Sequence, residues 1–358
     1  MSPGKGRVIL SNSAKNTEFA DSGPRLVSDH LTWAGQDLPN RLMLAPMAGP
    51  GALPFRRICE EFGAGLTVTE LCSARGICYD PDFRRNDRYL TISGLKRPAA
   101  IQFFGADPDD MFHAVSRVLA APAYEHCACI DLNMGCPMTK VVKTGAGAAL
   151  MRTPDLAARL LEAAVKAARP FGKEVTVKFR SGWAEGEITA PSFAKKMEEA
   201  GAAALTLHAR SREAIYSGKA DWQVILDTKA AVRIPLSANG DIATYEDCRW
   251  LLEHGRVDGL MLGRSTLGRP WLFAEILSQE AGQSFDPPKG ELWSELVQRH
   301  LKLLCHYRGA EAGVKEFRAS LASYVRDFPE AAQARRELMQ ISDLDEMLER
   351  IEAIGKRI

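Results

Sequence analysis

The sequence predicts an α/β fold: a (β/α)8 TIM barrel followed by a small C-terminal helical bundle. Three observations predict it. Short apolar runs alternate with longer stretches of helical spacing, eight times in succession. The runs are apolar almost throughout, as parallel strands buried on both faces should be. Beyond about residue 280 the strand pattern stops and only helical spacing remains. A chain of 358 residues has room for a barrel of ~250 residues and an appendage.

Taken in order, residues 1–40 are rich in Ser, Asn, Gly, Lys and Asp with little periodicity, which predicts a poorly ordered N-terminal extension. Its run Arg7-Val8-Ile9-Leu10 is too short for the apolar core of a signal peptide. The barrel is expected over residues 41–280. Its strands are read at Leu42–Pro46, Leu66–Glu70, Ala100–Phe104, Ile130–Asn133, Val175–Arg180, Ala204–His208, Pro235–Asn239 and Gly259–Gly263. The segments between them carry helical spacing. Pro154 to Ala168, for example, starts with a proline in its first turn and continues with Leu156, Leu160, Leu161 and Val165. The alternative is an open doubly wound sheet, but no first strand is followed by a Gly-x-Gly-x-x-Gly turn. Gly282 to Gly290 reads as a Pro/Gly linker. Residues 291–358 then read as helices, with apolar stripes Leu292, Leu296, Val297, Leu301 and Leu304; Leu321, Tyr324, Val325 and Phe328; and Ile341, Leu344, Met347, Leu348 and Ile351. This bundle is charge-balanced, with eleven Lys/Arg against twelve Asp/Glu.

Composition narrows the function classes. No apolar run reaches the ~20 residues of a membrane span. Eight cysteines without a regular framework predict reduced thiols and a cytoplasmic protein. Cys127, Cys129 and Cys136 match no standard zinc spacing, so no metal is expected. A net charge of +1 excludes nucleic-acid binding through bulk positive charge, and leaves local contacts open.

The chemistry gathers around Ile130-Asp131-Leu132-Asn133-Met134-Gly135-Cys136-Pro137. It reads as a buried strand stopped by Asn133, Gly135 and Pro137, with one thiol in the loop. The glycine-rich run Lys143-Thr144-Gly145-Ala146-Gly147-Ala148 follows, and its small residues would let the backbone approach something bulky and flat. A lone loop cysteine is commonly inert, and a reactive one needs identifiable surroundings. The other strand ends supply them. In such barrels the C-terminal ends of the strands build the active site, and the last two loops often hold a phosphate. Here those ends carry Pro46, Met47 and Ala48; Gln102; Asn133 and Cys136; Lys178 and Arg180; His208 and Arg210; Asn239, Gly240 and Asp241; and Gly263 and Arg264. Each could be a satisfied structural residue alone. Polar residues at six strand ends of otherwise apolar runs are harder to explain that way. Gly240 and Gly263 permit close approach, Arg264 adds charge, and the following helix N-termini favour an anion. Lys178 would stabilise negative charge on a reduced ring. A flat cofactor with a phosphate tail fits this set, flavin mononucleotide (FMN) among them. Other phosphorylated ligands would suit the last two loops equally well.

These motifs resemble those of the tRNA-dihydrouridine synthase family of bacterial type. They are Ala45-Pro46-Met47-Ala48-Gly49, Gln102-Phe103-Phe104-Gly105, Asn133-Met134-Gly135-Cys136-Pro137, Val177-Lys178-Phe179-Arg180-Ser181-Gly182-Trp183, Leu207-His208-Ala209-Arg210, Tyr216-Ser217-Gly218-Lys219-Ala220-Asp221-Trp222, Asn239-Gly240-Asp241-Ile242 and Gly263-Arg264. The resemblance implies an FMN-bound barrel that reduces the 5,6 double bond of a uridine in folded tRNA, with NADPH as electron donor. It implies FMN contacts from Pro46, Met47, Ala48, Gln102, Lys178, His208, Asn239, Gly240, Asp241, Gly263 and Arg264. It makes Cys136 the proton donor and Asn133, Arg180 and Arg210 candidates for holding the uracil. The uridine would be flipped out of its stack to reach the barrel mouth. Residues 291–358 would be the RNA-binding domain of an expected monomer. There the family pattern Arg-Lys-His-x-x-Trp-Tyr is reduced to Arg318 and Tyr324. Arg84, Arg85 and Arg88 are further candidates for phosphate contacts. Two alternatives differ in substrate: a flavin oxidoreductase for a free pyrimidine or other small enone, and a synthase acting on ribosomal RNA.

Overall fold

The structure, a computed structural model, describes residues 26–326 and 331–357. Residues 1–25 of the expected extension and Phe328 lie outside the described residues. The strands are β1 (Leu31–Trp33), β2 (Gln36–Leu38), β3 (Leu42–Leu44), β4 (Leu66–Val68), β5 (Cys72–Ser73), β6 (Ala99–Phe104), β7 (Ile130–Met134), β8 (Val175–Arg180), β9 (Ala204–His208), β10 (Leu236–Asn239) and β11 (Gly259–Leu262). β3, β4 and β6 to β11 pair in parallel in that order, and β11 returns to β3, so the sheet closes into a barrel. These are the eight runs expected from the sequence. β5 is a short addition that pairs with the far end of β6.

Side chains alternate across each strand. Leu42, Leu44, Ile101, Phe103, Leu132, Val175, Val177 and Phe179 face the helical layer. Met43, Leu66, Val68, Ala100, Cys129, Ala204 and Met261 fill the barrel. The same alternation places Gln102, Asp131, Asn133, Lys178, Arg180, His208 and Asn239 on the inward face, toward the C-terminal ends. The barrel is thus apolar at its base and polar at its mouth.

Residues 31–38 correct the expectation of a poorly ordered extension up to residue 40. β1 and β2 form an antiparallel hairpin, with Leu31 opposite Leu38 and Trp33 opposite Gln36. Ala34 and Gly35 turn it with φ of +48° and +74°, the doubly left-handed turn that matches strand twist. Leu31, Trp33 and Leu38 are buried in one cluster with Met43, Leu66 and Met261. They plug the base of the barrel, where Gly259 leaves room for Leu31. Burial of an aromatic and two leucines outweighs the ordering entropy of so short a hairpin.

The C-terminal segment forms helices Gly290–Arg308, Ala310–Tyr324, Ala331–Leu338 and Leu344–Gly355. Trp293, Leu296, Val297, Leu301, Phe317, Leu321, Met347 and Ile351 make its core, which continues onto Ile58 and Trp271 of the barrel's helical layer. Leu292, expected on the first stripe, is 52% exposed, and Trp293 takes the buried position. Polar ties cross the same junction: Arg299 with Glu61 at 2.5 Å and Arg308 with Glu70 at 3.9 Å. Among the described residues no helix is long and apolar enough to cross a membrane.

Candidate active site

A cleft of about 560 Å³ opens at the C-terminal mouth of the barrel. Its walls come from the loops after β3, β10 and β11, from the inward faces of β8 and β9, from Tyr216, and from Arg326 of the C-terminal helical segment. Pro46, Met47, Lys178, His208, Asn239, Gly240, Asp241, Gly263 and Arg264 all line it.

Lys178 is the central cation. Its Nζ donates to Asn239 Oδ1 at 2.8 Å, and Asn239 Nδ2 donates in turn to the Met261 carbonyl at 2.7 Å. Burial first, and then the neighbouring Arg180, lower the Lys178 pKa from 10.5 to about 7, against a smaller upward pull from Asp131 and Cys136. At neutral pH a group so placed is fully protonated only when negative charge comes beside it. His208 is held neutral, because burial and the surrounding cations push its pKa well below 6.5. Arg210 Nη1 lies 3.4 Å from His208 Nε2. A guanidinium only donates, so Nε2 accepts and the ring proton sits on Nδ1.

The loop after β10 is built for close approach. Gly240 has φ +118°, and a Cβ there would lie 3.0 Å from both His208 Cδ2 and Ala220 Cβ. Asp241 follows with φ +57°. Its carboxylate accepts from Arg210 Nη2 at 2.6 and 2.8 Å and from the Ala220 N–H at 2.8 Å, and Arg264 lies 3.5 Å away. Those partners hold its pKa below the ordinary value despite partial burial. Arg264 lies over the Tyr216 ring at 4.4 Å.

The thiol sits on the neighbouring strand end. β7 and β8 pair with Asn133 opposite Lys178, which brings the Cys136 loop beside the cationic end of β8. Asn133 Oδ1 accepts from the N–H groups of Gly135 at 3.2 Å and Cys136 at 2.8 Å, so it shapes the loop. Burial pushes the Cys136 pKa above 9.0, opposed by a backbone hydrogen bond from Met138 and by Arg180 and Lys178. Cys136 is therefore a thiol near neutrality. The glycine-rich run explains itself here: a Cβ on Gly147 would lie 2.8 Å from the Cys136 carbonyl, which also accepts from Ala148 N–H at 3.0 Å. Gly147 and Ala148 thus pack the run against the cysteine loop.

The sequence profile described as dihydrouridine synthase (Dus) matches residues 43–358. A tRNA-dihydrouridine synthase B of Proteus vulgaris is 37% identical over 318 residues, covering 88% of this chain and 95% of that one. Another of that name, from Pseudomonas aeruginosa, is 37% identical over 310 residues, covering 86% and 90%. The chain belongs to the dihydrouridine synthase family. The old yellow enzyme homologue of Zymomonas mobilis superposes on it with a TM-score of 0.51 at 13% identity, over 74% of this chain and 98% of that one, a likeness of fold.

Within this dihydrouridine synthase, not every residue singled out from the sequence reaches the cleft. Ala48, next to the lining Met47, is exposed at the rim and is not part of the wall. Gln102 is 0% exposed: its Nε2 donates to Asp131 Oδ2 at 2.6 Å and its Oε1 accepts from Asn133 Nδ2 at 2.9 Å. It lies beneath the site and links Asp131 to the Cys136 loop. Arg180 is held by the carbonyls of Gly135, Ser211 and Ile215, at 2.8, 2.8 and 2.9 Å. Arg210 is held by Ser217, Gly218 and Asp241. Both arginines anchor the loop after β9. Asp131, Tyr216 and Arg326 were missed. Asp131 is signalled by a carboxylate inside an apolar strand. Tyr216 opens the Tyr216–Trp222 motif, where nothing local marks it as facing the cleft.

Proposed function

We propose that this enzyme reduces the 5,6 double bond of a uridine in tRNA to dihydrouridine, with FMN as cofactor, NADPH as electron donor and Cys136 as proton donor. The observation that carries the reading is the pairing, on adjacent strand ends, of a buried lysine in a glycine-walled cleft with a protonated thiol. The names of the relatives supply the substrate class. The cleft's own residues fit a flat cofactor with an anionic tail. Gly240 and Gly263 leave its wall without side chains, Arg264 adds charge beside them, and Lys178 hydrogen-bonds an amide oxygen and, among the described residues, forms no ion pair with a carboxylate. Pro46, Met47, Lys178, His208, Asn239, Gly240, Asp241, Gly263 and Arg264 would hold FMN directly, with Ala48 at the rim and Gln102 acting from below.

When bound, the flavin supplies the two-electron reduction chemistry. Lys178 would hold its charge beside the cofactor's ring, and its lowered pKa would make that charge respond to negative charge on the ring. Cys136 keeps its proton until a basic carbon is presented, then donates it from Sγ as a general acid. Lys178 and Arg180 sit close enough to stabilise the thiolate that remains. Asn133 fixes the loop that aims the thiol. Arg180 and Arg210 position the uracil by fixing the loop after β9, and the Tyr216 ring offers a face for stacking. Arg84, Arg85 and Arg88, together with the helical domain, would meet tRNA phosphates. The protein works as a cytoplasmic monomer in this account and uses no metal.

The test is Cys136→Ala. The variant is expected to keep its flavin and the reduction of that flavin by NADPH, and to lose uridine reduction by roughly 10²–10⁴-fold. Uridine reduction at the wild-type rate would remove Cys136 from the mechanism.

A further inference from the structure

The cleft has one wall that the barrel does not make. Arg326, just past the helix Ala310–Tyr324, lines it together with Asp241, Ile242, Arg264, Ser265 and Leu267. These belong to the loops after β10 and β11, the anion-binding end of the site. We propose that Arg326, delivered by the helical domain, completes the site for the cofactor's phosphate together with Arg264. The proposal rests on FMN being the cofactor.

The structure carries it through the way Arg326 is delivered. Gly268, in the loop after β11, has φ +76°, and a Cβ there would lie 2.2 Å from the Ser323 carbonyl oxygen and 2.8 Å from Tyr324 N. Backbone therefore meets backbone, and only glycine permits it. The end of the helix is locked from the other side as well. Tyr324 and Val325 are buried, and Tyr324 Oη lies 3.2 Å from His300 Nδ1. Val325 N–H donates to the Leu321 carbonyl at 3.1 Å and Arg326 N–H to the Ser323 carbonyl at 3.3 Å, a tight helix end that turns Arg326 toward the cleft. Position 326 thus has a fixed backbone and an exposed side chain.

Charge decides the role. A helix C-terminus carries partial negative charge on its free carbonyls. Docked beside a phosphate site without a cation, it would repel the ligand. On the barrel side Arg264 is partly neutralised by Asp241 at 3.5 Å. Arg326 offsets both effects. The helical domain is then not only an RNA platform: its docking and the cofactor's affinity are coupled through one side chain.

The test is flavin affinity of the full-length protein stripped of its flavin, titrated by fluorescence with FMN and, separately, with riboflavin, which lacks the phosphate. Arg326→Ala should weaken FMN on the order of tenfold or more and leave riboflavin within twofold, since one charge-assisted contact to phosphate is lost. Arg326→Lys should restore part of the loss, and Gly268→Ala, which displaces the helix end, should reproduce it. FMN affinity unchanged in Arg326→Ala overturns the proposal, and so does an equal loss for both flavins, which would mark a structural role. Wild-type protein that binds neither flavin would overturn the cofactor reading, and this inference with it.

Discussion

Lys178→Met separates what the fold needs from what the chemistry needs. The buried ammonium costs stability whenever no anion lies beside it. The fall from 10.5 to about 7 corresponds, at about 1.4 kcal/mol per pH unit, to roughly 5 kcal/mol as an upper bound. Solvent reaching the partly open cleft reduces that, and loss of the 2.8 Å bond to Asn239 costs the variant about 1 kcal/mol. The flavin-free variant should therefore be more stable than wild type by roughly 2 kcal/mol near pH 7. The sign of the pH dependence follows from linkage. Between pH 7 and 10.5 the unfolded wild-type chain binds the Lys178 proton and the folded one does not, so wild-type stability rises with pH across that window. The variant's advantage is full below pH 7 and shrinks above it. Urea denaturation of flavin-free proteins at pH 6.5, 8 and 9.5 measures this. The same variant should bind reduced flavin poorly. A Met variant less stable than wild type at pH 6.5, or an advantage that does not shrink with pH, would refute the electrostatic role given to Lys178.

Two further substitutions probe the frame around the site. Gly240→Ala places a Cβ 3.0 Å from His208 and Ala220 at φ +118°, and should cost roughly 1–3 kcal/mol and lower the flavin retained on purification; unchanged melting and flavin content would contradict the close-approach argument. Trp33→Ala should cost roughly 3–5 kcal/mol in chemical denaturation, because the hairpin plugs the barrel base; a loss below about 1 kcal/mol would place that hairpin outside the cooperative core.

The barrel was legible because its strands are long enough in apolar residues to stand out, and because the period of two inside Val175–Arg180 puts Lys178 and Arg180 on the face opposite Val175, Val177 and Phe179. The hairpin carries little local signal. Leu31 and Trp33 alternate before Ala34-Gly35, but three residues a side is a weak signal until a barrel base exists to bury them. The cleft was legible through residues that end strands. Roles set by long-range partners were not. Gln102 reads as a ligand contact until Asp131 and Asn133 take both ends of its amide. Arg326 carries no local signal, because a helix end packed against Gly268 brings it to loops far earlier in the chain, around Asp241 and Arg264.

The most direct test of the central claim is to incubate the NADPH-reduced, flavin-loaded protein with unmodified tRNA and, in parallel, with ribosomal RNA and free uridine, then digest and quantify dihydrouridine by mass spectrometry. Dihydrouridine is expected in the tRNA, with none above background in the other two, and none in any when Cys136→Ala replaces wild type. Product from free uridine or ribosomal RNA alone, or none from tRNA while the flavin still turns over, would contradict that claim.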